Sequence, residues 1–285
     1  MRAHLVQLDL AWEDREENFA RVDRALTTLD ISSGDLIVTP EMFDSGFSLN
    51  TDRTADTRGR TLEYLTELAD DTGAIVVAGR TVRPCDCDKA LNRATIAAPG
   101  QRVLAEYDKV HPFSYGREPE AFRGGARVST FPWEIGNDPT NAERTGLSVC
   151  PLICYDLRFP ELFRLGLLAG AEVFCVIANW PAARHEHWQT LLRARAIENQ
   201  AYVLGVNRCG ADPHLEYAGG TAAIDPKGET LGELGTEPGV LSVEVDPGAV
   251  RGWRADFPAW RDLKIRVGPI GEQSPENRAV EAQDT

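Results

Sequence analysis

A chain of 285 residues, 42% hydrophobic and 26% charged, has the makeup of a soluble globular protein and the length for one large domain. Its formal net charge of −14 excludes the basic surface that a nucleic-acid partner needs. It has no apolar run long enough for a transmembrane helix, so no membrane partner is expected.

The opening MRAHLVQLDLAW lacks the apolar core and small-residue cleavage site of a secretory leader. A cytoplasmic location with reduced thiols is the expectation. Residues 4–8 read as a strand. In EENFARVDRALTTLD, Phe19, Val22, Leu26 and Leu29 share one helical face. Residues 35–41, DLIVTPE, form an apolar strand ended by Pro40. Residues 61–73 return to the helical period, with Gly73 at the C-cap position. Residues 74–80 are a buried strand, and residues 92–109 a hairpin turning at Pro99-Gly100.

The second half follows a similar rhythm. Residues 146–156 read as a strand, 160–170 as a helix, 171–180 as a strand, 185–200 as a helix and 201–210 as a strand. A hairpin over 218–235 turns at Pro226-Lys227-Gly228, and residues 239–246 are expected to close that sheet. Strands alternating with helices make the class α/β. The repeated rhythm predicts two similar sheets packed face to face under helices, a four-layer α-β-β-α sandwich. One domain is expected over 1–268, followed by a polar tail over 269–285.

In such folds functional residues gather at the carboxyl ends of strands. Glu41 leaves a buried strand. It is either a solvated exit or a carboxylate whose pKa burial raises toward that of a general base. Lys109, one of only four lysines, is either a solvated strand end or an ammonium aimed at a developing oxyanion. His111 has no visible partner and reads as structural. The loop GREPEAFRGG offers Glu118 or Glu120 as a second carboxylate.

Six cysteines are present. Cys85 and Cys87 lack a second pair at zinc-site spacing, so incidental loop thiols fit them better than a metal site. Cys154 is different. It sits at a strand-to-helix elbow, where the N–H of Tyr155 can serve as an oxyanion donor. Strand alternation puts Cys150 on the same face; its place in the strand body makes it core.

The motifs TPEMF, YDKVHPF and CYDLRFPE, in that order, resemble the nitrilase (carbon-nitrogen hydrolase) superfamily. HWQTLLRARAIENQAYV and GGTAAIDPKGETL extend the resemblance from about residue 3 to about residue 265. PEMFDSGF, CYDLRFP, ANWPAARHEHW and DFPAWRD are similar to the omega-amidase branch. The resemblance implies Glu41 as general base, Lys109 as oxyanion stabiliser and Cys154 as nucleophile. Counted back from Gly124-Gly125, Glu118 matches the family's second carboxylate. It implies no cofactor or metal, and a homodimer built on the helices of 160–170 and 185–200.

The implied substrate is a short dicarboxylic monoamide such as 2-oxoglutaramate or 2-oxosuccinamate, attacked at its terminal amide. Arg158 is either its carboxylate clamp or a structural partner of Asp156 or Glu161. Phe47 and Trp180, each placed at a strand exit, either wall the pocket or belong to the core. Two alternatives remain open: a deaminated-glutathione amidase with a roomier pocket, and a silent scaffold that only binds a metabolite or partner. An anionic substrate must meet local cations, because the overall field repels it.

Overall fold

Runs of branched apolar residues alternate with amphipathic segments. The computed structural model, which describes residues 1–85, 87–134 and 146–264, folds them into strands and helices. The first half holds β1 (Arg2–Gln7), α1 (Arg15–Leu26), β2 (Leu36–Val38), the one-turn α2 (Thr51–Thr54) and α3 (Arg60–Thr72). It continues with β3 (Ile75–Val82), the hairpin β4 (Leu91–Ala98) and β5 (Gln101–Asp108), and the one-turn α4 (Glu118–Ala121). The second half holds β6 (Phe131–Trp133), β7 (Leu147–Ile153), α5 (Pro160–Leu168), β8 (Val173–Ala178) and α6 (His185–Asn199). Then come β9 (Tyr202–Asn207), the ribbon β10 (Cys209–Ala211) and β11 (Glu216–Ala218), and the hairpin β12 (Ala222–Ile224) and β13 (Thr230–Glu233). β14 (Gly239–Glu244) and α7 (Pro247–Asp256) follow.

Two six-stranded sheets result, ordered β14-β1-β2-β3-β4-β5 and β13-β12-β9-β8-β7-β6. Within them β1, β2 and β3 run parallel, as do β7, β8 and β9. Parallel neighbours need a crossover, and α1, α3, α5 and α6 supply the four. Side-chain alternation then separates the layers. On β2, Ile37 joins Phe19, Val22 and Leu65 beneath the helices, while Leu36 and Val38 enter the core between the sheets. There β1 faces β9 and β4 faces β7. In the second half the same core runs on through the sheet to Phe163, Trp188 and Leu192 of α5 and α6. The four-layer α-β-β-α sandwich is therefore the observed architecture.

One strand lies elsewhere than the sequence pattern placed it. β14 does not close the second sheet. It pairs antiparallel with β1, from Arg2 opposite Glu244 to Gln7 opposite Gly239. β1 would otherwise be an edge with open backbone groups, and β14 covers it. α7 then ties back to the second half, where Arg251 pairs with Glu172 at 2.7 Å. The short β6, β11 and α2, and α7, had no prediction; the strand expected over 201–210 divides into β9 and β10, and the one-turn α4 lies in the expected loop. The proposed tail over 269–285 lies outside the described residues. Among the described residues no helix is long and apolar enough to cross a membrane.

The turn after β2 lies directly on β3. Phe43 donates its N–H to the carbonyl of Gly79 at 3.0 Å. A Cβ at Gly79 would stand 2.6 Å from the nitrogen of Met42 and 2.7 Å from the Cα of Glu41. Both are backbone atoms with nowhere to go. Gly79→Ala is expected to cost about 1–3 kcal/mol by overpacking. Gly252→Ala, in helix α7 with nothing within 4 Å, is expected to gain about 0.5–1 kcal/mol. Thermal melts of the two variants should move in opposite directions.

Candidate active site

Three strand exits meet at one place. Glu41 follows β2, Lys109 follows β5 directly, and Cys154 follows β7 directly. Glu118 opens α4, Asn92 lies on β4, and Asn179 follows β8. Glu41, Lys109 and Glu118 are buried, each at most 1% exposed. The Lys109 ammonium donates to Glu41 Oε1 at 2.9 Å and to Glu118 Oε2 at 2.8 Å. Asn92 Nδ2 bridges the same two carboxylates, at 2.6 Å and 2.9 Å. The Asn179 N–H donates to Glu41 Oε2 at 2.8 Å, and its Nδ2 to the Glu41 carbonyl at 2.6 Å. The Cys154 thiol closes the ring, with Sγ 3.9 Å from the Asn179 carbonyl oxygen.

The carbon-nitrogen hydrolase family matches residues 2–255. An omega-amidase of Escherichia coli is 35% identical over 264 residues, covering 92% of this chain and 96% of that protein. A 2-oxoglutaramate amidase of Bacillus subtilis is 33% identical over 261 residues, covering 91% and 96%. A CN-hydrolase superfamily protein of Xanthomonas campestris, solved with an arsenic adduct in its active site, superposes with a TM-score of 0.82. It is 33% identical, covering 94% of this chain and 98% of that one. The chain belongs to the carbon-nitrogen hydrolase family. It is a hydrolase of amide C–N bonds on the nitrilase fold.

The structure brings together four of the carbon-nitrogen hydrolase residues expected from the motifs: Glu41, Lys109, Glu118 and Cys154. Glu120 stays outside, exposed and paired with Arg117 at 2.7 Å. The electrostatics of Glu41 differ from expectation. Burial alone would raise its pKa, but the Lys109 ammonium and the Asn179 and Asn92 donors outweigh it, and the pKa is lowered. Glu118 goes the other way: burial, with the Glu41 charge adding to it, raises its pKa despite Lys109. Burial and then the Glu41 carboxylate push the Cys154 thiol well up. Burial opposes charge on Lys109, yet the two carboxylates hold its pKa well above the ordinary value. The resting site is thus a carboxylate, an ammonium and a neutral thiol side by side. That set can move a proton from sulfur to carboxylate while a cation waits for negative charge.

The elbow at Cys154 is built by backbone geometry. Its φ is +48°, left-handed, and residues 154–158 form a 3-10 turn. The strand's alternation therefore stops at Ile153, so it does not place Cys154 on the face of Cys150. Cys150 packs toward Gly166 and Phe174, with its thiol pKa pushed up to about 12 by burial. Asp156 holds the turn. Its carboxylate accepts from the Tyr107 hydroxyl at 2.7 Å, the Ile153 N–H at 3.2 Å and the His111 N–H at 3.0 Å. His111 also stacks on Phe159 at 3.7 Å between centroids, a structural role.

A cavity of about 770 Å³ opens onto Cys154 and Lys109 and is lined by Phe47, Tyr155, Arg158 and Trp180. Phe47 is not at a strand exit, since β2 ends at Val38; it comes from the turns that follow, 5.5 Å from Lys109 Nζ. Arg158 makes no salt bridge with Asp156 or Glu161. Asp156 is spent on the elbow, and the Arg158 guanidinium lies over the Trp180 ring at 4.8 Å.

Sequence reasoning missed Asn92 and Asn179. Both carried a signal: Asn179 stands at a strand exit, and Asn92 is an amide inside a strand, where Asn is disfavoured. Among the described residues no group of three or more His, Cys, Asp or Glu is placed to hold a metal.

The two carboxylates predict opposite pH slopes. Glu41, held below its ordinary 4.5, contributes stability that is lost as pH falls through its folded pKa. Glu118, held above 4.5, binds its proton more tightly folded than unfolded, so its contribution falls as pH rises through that range. Melts from about pH 3 to 8 should show Glu118→Gln gaining on the wild type as pH rises. Glu41→Gln should lose ground to the wild type over the acid part of the range. Equal slopes for both variants would contradict the charge assignment.

Proposed function

We propose that the protein releases ammonia from the terminal amide of a short 2-oxo dicarboxylic monoamide, such as 2-oxoglutaramate, through a thioester on Cys154. The observation that carries this reading is the buried Glu41–Lys109–Glu118 cluster beside a thiol, at the floor of a cavity whose Arg158 has no carboxylate partner among the described residues. The relatives named as omega-amidase and 2-oxoglutaramate amidase support the substrate class.

Glu41, ionised at rest, takes the thiol proton, since thiolate is the effective nucleophile. The sulfur attacks the amide carbon, and the carbonyl electrons move onto oxygen. Lys109 and the N–H of Tyr155, in the first turn after the nucleophile where helical N–H groups lack internal acceptors, receive that oxyanion. The intermediate collapses, Glu41 returns the proton to nitrogen, and ammonia leaves. Water then attacks the thioester, giving its proton to Glu41, and collapse frees the acid and restores the thiol. Glu118 orients Lys109 and, through it, the water. Arg158 takes the distal carboxylate as a planar fork. Phe47 and Trp180 wall the acyl chain.

A second reading, a larger amide such as deaminated glutathione, is favoured by the cavity volume of about 770 Å³, which a five-carbon acid fills only in part.

Ammonia release from 2-oxoglutaramate, glutamine and deaminated glutathione ranks these readings. Cys154→Ala is expected to remove turnover while keeping the melting temperature, and Glu41→Gln to lower kcat by about 10²–10⁴-fold. Mass spectrometry of acid-quenched wild type should find a substrate-dependent acyl adduct on Cys154. Ammonia release by Cys154→Ala would overturn the mechanism.

A further inference from the structure

Four cations line the cavity: Lys109, Arg117, Arg158 and Arg184. Lys109 is taken by Glu41 and Glu118, and Arg117 by Glu120. Among the described residues, Arg158 and Arg184 have no carboxylate. Each lies over an aromatic ring of the same wall, Arg158 over Trp180 at 4.8 Å and Arg184 over Phe113 at 5.5 Å. The two are built as one unit. Trp180 Nε1 donates to the Arg184 carbonyl at 2.7 Å, so the turn carrying Arg184 is anchored on the ring that carries Arg158. They also feel each other: burial lowers the Arg158 pKa, and the Arg184 charge adds to the lowering.

The acids of the cavity do not neutralise them. Glu13 accepts from the Ser48 hydroxyl at 2.6 Å and pairs with Arg53 at 3.2 Å. Asp212 accepts from the Tyr217 hydroxyl at 2.6 Å and from the N–H groups of His214 and Leu215. Arg158 Nη2 also lies 3.3 Å from His187 Nδ1. In a chain of net charge −14, two guanidiniums with no carboxylate partner among the described residues form a local positive field at one cavity.

We infer that Arg184 is a specificity-determining residue. With Arg158 it forms a two-guanidinium wall that accepts a 2-oxo carboxylate and excludes an α-ammonium group. The inference rests on the reading that Cys154 attacks a terminal amide. A 2-oxo acid presents a carboxylate fork and an adjacent keto oxygen, all acceptors, to two donor arrays. The matching α-amino acid replaces the keto oxygen with an ammonium, which has no acceptor there and meets two like charges.

Steady-state ammonia release by the full chain tests this on 2-oxoglutaramate, glutamine and uncharged propionamide. Arg184→Gln is expected to raise KM for 2-oxoglutaramate by about 10–100-fold, the worth of a hydrogen bond to a charged group, with kcat changed far less. Its loss on propionamide should be at least about tenfold smaller, and the preference for 2-oxoglutaramate over glutamine should drop at least about tenfold. Arg184→Lys should restore most of that preference. Equal losses on all three substrates would mark Arg184 as a mere support for Trp180 and overturn the inference. So would an unchanged preference in Arg184→Gln when the wild type favours 2-oxoglutaramate. A wild type that works on propionamide but not on 2-oxoglutaramate would sink the substrate reading and the inference with it.

Discussion

Everything at this site depends on one ammonium shared between two buried carboxylates. Taking three charges out of water is costly, and the cost is offset only if each is matched in geometry. Lys109 has both partners within 2.9 Å. Asn92 reaches across to both carboxylates, and Asn179 satisfies the far oxygen of Glu41. The excess carboxylate has a chemical consequence. Lys109 keeps one acid firmly ionised, and the second is pushed toward holding its proton. Two glutamates of one type are thus shifted in opposite directions, although each accepts a backbone N–H, Glu41 from Asn179 and Glu118 from Phe113. A base that is ionised at rest beside a neutral thiol is poised for the first proton transfer of amide attack.

The fold was legible because its central strands lie in apolar runs and helices such as α1 and α3 are periodic. Elements of three or four residues, such as β6, α2 and α4, carry too little pattern to be read. β14 shows a different limit. Alternation identifies a strand but says nothing of which edge it will cover, and that choice is made by the open side of β1. At the site, position after a strand marked Glu41, Lys109 and Cys154. Glu118 needed the family's spacing, because nothing local separates it from Glu120; in the fold the first residue of α4 points inward and the third does not. The pKa of Glu41 could not be read from burial alone, since what offsets burial is a lysine 68 positions away acting together with the Asn179 and Asn92 donors.

The charge distribution has its own logic. A strongly acidic protein repels an anionic substrate at long range, but the Debye length at physiological salt is only about 8 Å. Inside the cavity the nearest charges therefore dominate. Among its described residues the acids are already engaged, and two arginines have no carboxylate partner. Their ring contacts hold them without neutralising them, which a salt bridge to Asp156 would have done.

Asp156 is instead committed to geometry. A left-handed φ at a non-glycine residue costs about 1–2 kcal/mol, and Cys154 adopts one. Two residues on, Asp156 grips Tyr107 and His111, which flank Lys109 on either side. One carboxylate therefore clamps the turn that carries the thiol to the strand exit that carries the ammonium. These segments come from different sheets, so the distance between nucleophile and oxyanion cation is set by that clamp rather than by either sheet alone. The motif residue beside the nucleophile that looks most like a salt-bridge partner for Arg158 is the one that joins the two halves of the catalytic cluster. Because it is spent there, Arg158 lines the cavity without it, lying over Trp180 and 3.3 Å from His187 Nδ1.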